Sequence, residues 1–185
     1  MQKLIVFNHV SLDGFFTDLS GDMSWAHKQD AEWDAFTEAN AASGGVLLFG
    51  RVTYDLMASY WPTPAALKQF PLVAKRMNGL PKVVFSRTMS KASWQNTELV
   101  KVDIAAAVRK LKQATGPGMV IFGSGTIVSQ LTEERLIDAY QIVVDPIILG
   151  KGRTLFEGLK EKMPLKLTES RIFGNGNALL TYEPT

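Results

Sequence analysis

Short apolar runs, each followed at once by a turn and then by a helical pattern, recur along this chain, and that alternation leaves few folds open to it. Val46 to Phe49 is followed by Gly50-Arg51 and a helical stretch from Thr53 to Tyr60 that halts at Trp61-Pro62. Lys82 to Ser86 is a second such run. Met119 to Phe122 is a third, followed by the turn Gly123-Ser124-Gly125-Thr126 and a helix starting over Ile127 to Leu131. Four or five apolar residues are too few for a helix but suit a strand buried on both faces. Parallel strands need crossovers, so these units predict an α/β fold: a central, mainly parallel sheet with helices on both faces.

The remaining segments fit that frame. Leu4 to Val10 reads as a buried strand ending at Ser11-Leu12-Asp13-Gly14, and Phe15 to Trp25 as a loop. From Asp30 the stretch DAEWDAFTEANAA predicts a helix with acids in its first turn, stopped by Gly44-Gly45. One further helix is expected over Ala65 to Met77. Another is capped by Asp103, with Ile104, Val108 and Leu111 on one face. After Ile137 to Asp145 the pattern changes. Leu165 to Phe173 and Ala178 to Tyr182 flank Gly174-Asn175-Gly176-Asn177, a hairpin signal that predicts antiparallel strands at the sheet edge.

Length and composition exclude several classes. The 185 residues suffice for one sizeable core and are few for two, so a single domain over 1–185 is expected. A net charge of +2 without a run of five Lys or Arg argues against nucleic acid as partner. There are no cysteines, which removes disulfides, thiol catalysis and Cys-based metal sites. His9 and His27 are the only histidines and lack nearby ligands, so no metal is expected. The apolar run in MQKLIVFNHV is too short for a signal h-region or a membrane span, and the chain is expected to stay in the cytoplasm.

The residues that could carry chemistry cluster after the strands. In open α/β sheets ligands bind outside the carboxyl ends of the strands, so the turns at Gly50-Arg51, Ser86-Arg87 and Gly123-Ser124-Gly125 could converge on one ligand. Glycines at 123 and 125 would let a phosphate approach the backbone, and the helix that follows offers free N–H groups and a positive dipole end. Guanidinium groups at Arg51 and Arg87 could bind phosphate bidentately. A Gly-x-Ser-x-Gly elbow is absent, which disfavours a hydrolase. Asp13 and Asp30 are the carboxylates placed most suggestively.

Val10-Ser11-Leu12-Asp13-Gly14, Gly50-Arg51-Val52-Thr53, Phe122-Gly123-Ser124-Gly125-Thr126 and Leu136-Ile137-Asp138 followed by Pro146-Ile147-Ile148-Leu149-Gly150 together resemble one family. It is the group related to the reductase domain of the bifunctional riboflavin-biosynthesis deaminase/reductase, within the dihydrofolate-reductase-like superfamily. The resemblance runs over nearly the whole chain. It implies a dihydrofolate-reductase-like three-layer fold, NADPH as hydride donor, a small heterocyclic substrate and frequently a homodimer.

Carried over by motif, Arg51 and Thr53 would hold the cofactor's phosphates, Ser86 and Arg87 the adenosine 2′-phosphate, and Gly123 to Thr126 the pyrophosphate, with Gly50 and Ile127 in the same wall. Val10, Trp25, Tyr54 and Phe122 fall on the substrate side. Trp25 resembles the tryptophan after the mobile loop of dihydrofolate reductases, which places Asp30 at their substrate-binding carboxylate; Asp30, or water held by Asp13, is the implied proton source. Phe122 stands where the riboflavin reductases usually carry a glutamate, so a flat aromatic ligand is expected over a phosphorylated sugar.

Overall fold

The computed structural model describes residues 1–26 and 30–185, so His27 lies outside the described residues. The elements in order are β1 (Leu4–Ser11), α1 (Ala31–Ala42), β2 (Val46–Gly50), α2 (Arg51–Tyr60), α3 (Pro64–Gln69), α4 (Pro71–Gly79), β3 (Lys82–Phe85), β4 (Thr97–Val100), α5 (Ile104–Gln113), β5 (Met119–Phe122), α6 (Gly125–Glu133), β6 (Ala139–Asp145), β7 (Leu165–Ile172) and β8 (Ala178–Pro184). One eight-stranded sheet runs β4-β3-β2-β5-β1-β6-β8-β7. β1 to β6 are parallel, and β8 and β7 close the edge as an antiparallel hairpin. The three-layer, mainly parallel fold expected from the sequence is thus the fold observed.

Two elements differ from expectation. The single helix over Ala65 to Met77 is two helices, because Phe70 adopts φ −132°, ψ 64° and Pro71 starts a new helix at its first position. Proline disfavours helical backbone at the residue before it and brings no N–H to continue the ladder. β4 was not anticipated: four residues, Thr-Glu-Leu-Val, partly exposed at the sheet edge, give too little apolar pattern to read.

Side-chain alternation along the strands sorts the core into two layers. On one face Leu4, Val6, Leu48, Val83, Met119 and Ile121 pack against Val108 of α5 and Ile127 and Leu131 of α6. On the other, Leu47, Phe49 and Val84 meet Tyr54 of α2 and Met77 of α4, while Phe7, Val143 and Leu179 meet Trp33 of α1. A wholly buried aliphatic or aromatic side chain contributes about 1.5–3 kcal/mol. Among the described residues no helix is long and apolar enough to cross a membrane.

All six parallel strands end at one edge. The β1–β5 ladder stops at Phe7↔Phe122, whereas the β1–β6 ladder continues to Ser11↔Asp145. Asn8 to Ser11 therefore run on past the end of β5, at the sheet edge where open α/β sheets form their ligand crevice.

Candidate functional site

The β5–α6 turn is built so that only this backbone fits. Gly123 has φ 54° and Ser124 is left-handed at φ 59°, ψ 46°. A Cβ on Gly123 would lie 2.8 Å from Thr53 Oγ1, and one on Gly125 would lie 3.0 Å from the Phe16 ring. Thr53 Oγ1 accepts from the Ser124 N–H at 3.0 Å, and Ser124 Oγ accepts from the Gly50 N–H at 2.9 Å and donates to the Phe122 carbonyl. Asn8 pairs its whole amide with the backbone of Gly123, donating to its carbonyl at 3.1 Å and accepting from its N–H at 2.6 Å. The turn is thus held from three strands.

At the start of α6 the N–H groups of Gly125 and Thr126 find no acceptor among the described residues, while the Ile127 N–H donates to the Ser124 carbonyl. The Ile127 N–H is thus taken, and its side chain is 4% exposed and packs beside Gly50. Two open amides, a helix N-terminus and glycines that cannot carry a side chain form a cradle that fits a phosphate.

Arg51 opens α2 beside this cradle, and its guanidinium, like that of Arg87, has no ion-pair partner among the described residues. Ser86 Oγ accepts from the N–H groups of Thr88 and Met89, folding the turn so that Arg87 projects to solvent. Beside them lies a cleft of about 360 Å³ lined by Phe85, Ser86, Arg87, Val100, Val102, Ile104 and Gln130. Apolar walls with one guanidinium at the rim suit a flat base carrying a phosphate. Leu12, Val52, Val102 and Ile148, each just past a strand of this edge, are more than half exposed.

The residues expected on the substrate side are not all brought together. Val10 lies in the part of β1 that outruns β5 and is partly exposed. Phe122, also partly exposed, stacks on Phe49 at 6.4 Å and meets Phe7 edge-on at 5.8 Å, bridging the two clusters on the α1 face. Tyr54 does not face the crevice. It is 2% exposed, and its hydroxyl accepts from the Trp94 N–H at 2.8 Å, because the buried face of α2 carries it into the core. Trp25 is partly buried, with an Nε1 that has no partner among the described residues.

The two carboxylates are both committed. Asp30 caps α1, accepting from the Trp33 N–H at 2.9 Å. Asp13 accepts from Ser11 Oγ and from the N–H groups of Leu149 and Gly150, clamping two loops together. Hydrogen bonds, that from Ser11 foremost, hold its carboxyl below the usual aspartate value. A carboxylate so stabilised has little tendency to hold a proton to give.

Two polar residues, Asn8 and Asp145, escaped the reading of the sequence, and His9 was weighed there only as a packed or hydrogen-bonded side chain. His9 and Asp145 pair at 2.8 Å between Nδ1 and Oδ2, with Asp145 wholly buried. Polar Asn8-His9 inside the apolar strand LIVFNHV was the available signal.

Comparison with known proteins agrees with this geometry. The chain is 26% identical over 181 residues to the uncharacterized protein YyaP of Bacillus subtilis, covering 98% of this chain and 94% of that one. It is 25% identical over 173 residues to YwjB of the same organism, covering 94% and 93%. A putative riboflavin biosynthesis protein from Shewanella sp. PV-4 superposes with a TM-score of 0.75 at 26% identity over 100% of this chain and 99% of that one. The same fold recurs in a Thermotoga maritima diaminohydroxyphosphoribosylaminopyrimidine deaminase/5-amino-6-(5-phosphoribosylamino)uracil reductase, with TM-score 0.69 at 17% identity over 100% of this chain and 57% of that one. The model of the RibD C-terminal domain matches residues 2–179, so with its sheet, its crevice and its glycine turn this chain belongs to the RibD C-terminal domain family.

Proposed function

We propose that the protein is an NADPH-dependent reductase acting on a small heterocycle of pteridine, aminouracil or flavin type. The observation that carries this is the β5–α6 cradle, whose free Gly125 and Thr126 amides share one sheet edge with Arg51 and Arg87. NADPH when bound supplies a hydride. The chain's part is to hold it: the cradle and Arg51 take the pyrophosphate, and the cleft beside Ser86 and Arg87 takes the adenosine with its 2′-phosphate. Phe122 at the crevice offers an aromatic surface for stacking a ring.

Calorimetry with NADPH and NADH tests the cofactor, with NADPH tighter as the expected result. NADPH oxidation screened against pteridines, flavins and the aminouracil ribosyl phosphate tests the substrate, the last expected to turn over least. A second reading, a non-catalytic NADP- or pterin-binding module, is favoured by one observation: Asp13 and Asp30 are both tied up in backbone hydrogen bonds. It predicts tight binding without turnover. In either case we place a homodimer contact at β7, whose eight residues are all exposed and include Leu165, Leu167 and Ile172. Sedimentation of Leu167→Lys should show the monomer.

A further inference from the structure

We propose that His9 is the proton donor of this site, and that Asp145, with Asn177 behind it, is the positioning residue that orients its ring. The inference rests on the reductase reading above and supplies the proton that Asp13 and Asp30 are badly placed to give.

The strand registers bring the three residues into one oblique row. His9 pairs with Val143, two residues before Asp145, which itself pairs with Ser11 at the end of β1. Asn177 lies one residue beyond the last pair of the β6–β8 ladder, Val144↔Ala178, and so opposite Asp145. Odd-numbered residues of β1, β6 and β8 (Phe7, Val143 and Leu179) face α1, and His9, Asp145 and Asn177 continue that face to the crevice end of the sheet.

The chemistry of the row is directional. A carboxylate only accepts hydrogen bonds, so the imidazole nitrogen bonded to Asp145, Nδ1, carries a hydrogen, and Nε2 is the nitrogen left to act. Trp33 meets the ring edge-on at 5.3 Å and 81°, and Phe7 at 6.1 Å and 78°, which fixes its orientation. Of the three, the His9 side chain alone reaches the surface, at 14% exposure; Asp145 and Asn177 have none.

The row also differs from a finished structural ion pair. Asp145 Oδ1 and both side-chain amide atoms of Asn177 are buried without a partner among the described residues. By contrast, Asp138 Oδ2 takes the N–H of Leu4 and the ammonium of Lys112, which also donates to the Leu136 carbonyl. Orphaned buried polar atoms are costly and call for an explanation by function or by bound water. Among the described residues the other charged groups around this face are Asp30, bonded to Trp33 N–H, and the Arg171–Glu32 pair, whose guanidinium lies over Phe173. Neither pairs with His9.

In the proposed step a ring carbon of a C=N or C=O group gains the hydride, and its π pair moves to the heteroatom. The heteroatom takes the proton from Nε2. Imidazole is left neutral with Nδ1–H still on Asp145, and water reprotonates Nε2.

The test uses the full chain and exploits its having two histidines. With His27→Gln removing the other signal, nitrogen-15 NMR should show the His9 ring in the Nδ1–H form when neutral. Addition of NADPH with 7,8-dihydropterin, both at millimolar concentration, should shift it. Asp145→Asn should mix the tautomers. His9→Gln should bind NADPH within twofold of wild type and lose about 100- to 1000-fold in kcat, the range of general acid catalysis. An Nε2–H form, or a signal unmoved by the ligands, overturns the proposal, as does unchanged kcat in His9→Gln. Loss of NADPH binding by the wild type itself would instead bring down the reductase reading.

Discussion

The two ends of the parallel strands are finished differently. At the amino end, Lys82 is 1% exposed, yet its ammonium donates to the carbonyls of Asn78 and Leu80 and lies 4.5 Å from the centre of the Trp94 ring. Asp138, Lys112 and Leu4 close a second network there. At the carboxyl end, buried atoms of Asp145 and Asn177 lack partners, two helix amides are open, and apolar Leu12, Val52, Val102 and Ile148 face solvent. Gln2 Oε1 and, opposite Gln141 near the start of β6, Thr181 Oγ1 are the exceptions toward the amino end among the described residues. Folding demands satisfied groups, so an edge that leaves them open is shaped for something that folding does not supply.

Glycine substitutions should separate the ends most sharply. Gly123→Ala puts a side chain into left-handed backbone and against Thr53, and should cost about 2–4 kcal/mol in denaturant unfolding and abolish measurable NADPH binding. Gly79→Ala at the amino end meets nothing within 4 Å and should stay within about 0.5 kcal/mol of wild type. Equal losses would erase the distinction.

Lys82 gives the amino end a pH signature. Burial lowers its pKa from 10.5 to about 8, so between those values the unfolded chain binds the proton that the folded chain has released. Unfolding free energy should therefore rise with pH across about 8 to 10.5, by at most about 3 kcal/mol relative to Lys82→Met, and the difference should be flat below 8. Urea titrations at several pH values check it; a falling difference would contradict the burial of the ammonium.

Arg87→Ala should reduce NADPH-over-NADH discrimination by about 1.5–3 kcal/mol, the worth of charge-assisted hydrogen bonds. Arg109→Ala, remote from the crevice and paired with Glu134, should leave it unchanged. The smallest effect is expected in the loop of residues 15–25. Phe16 and Thr17 are already bonded to Arg153, so NADPH should slow proteolysis only a few-fold, and only in its second half.

Where the chemistry is carried by local pattern, it was legible. The glycine turn at 123–126 announces itself because backbone that tolerates no Cβ must be written as glycine. Pro71, by the same local logic, should have been read as a helix break. The burial of Tyr54 was not legible, because a residue in the first turn of a helix after a strand can face outward or into the core, and only packing against Phe49 and Trp94 decides which.

The sequence alone determined the alternation of buried strands and helices, the antiparallel tail and the glycine turn, since each depends on residues within one segment. Tertiary structure alone decided that β1 outruns β5, and that His9, Asp145 and Asn177 form one row. Those facts depend on the register between strands 136 residues apart, and register is settled by the whole core at once.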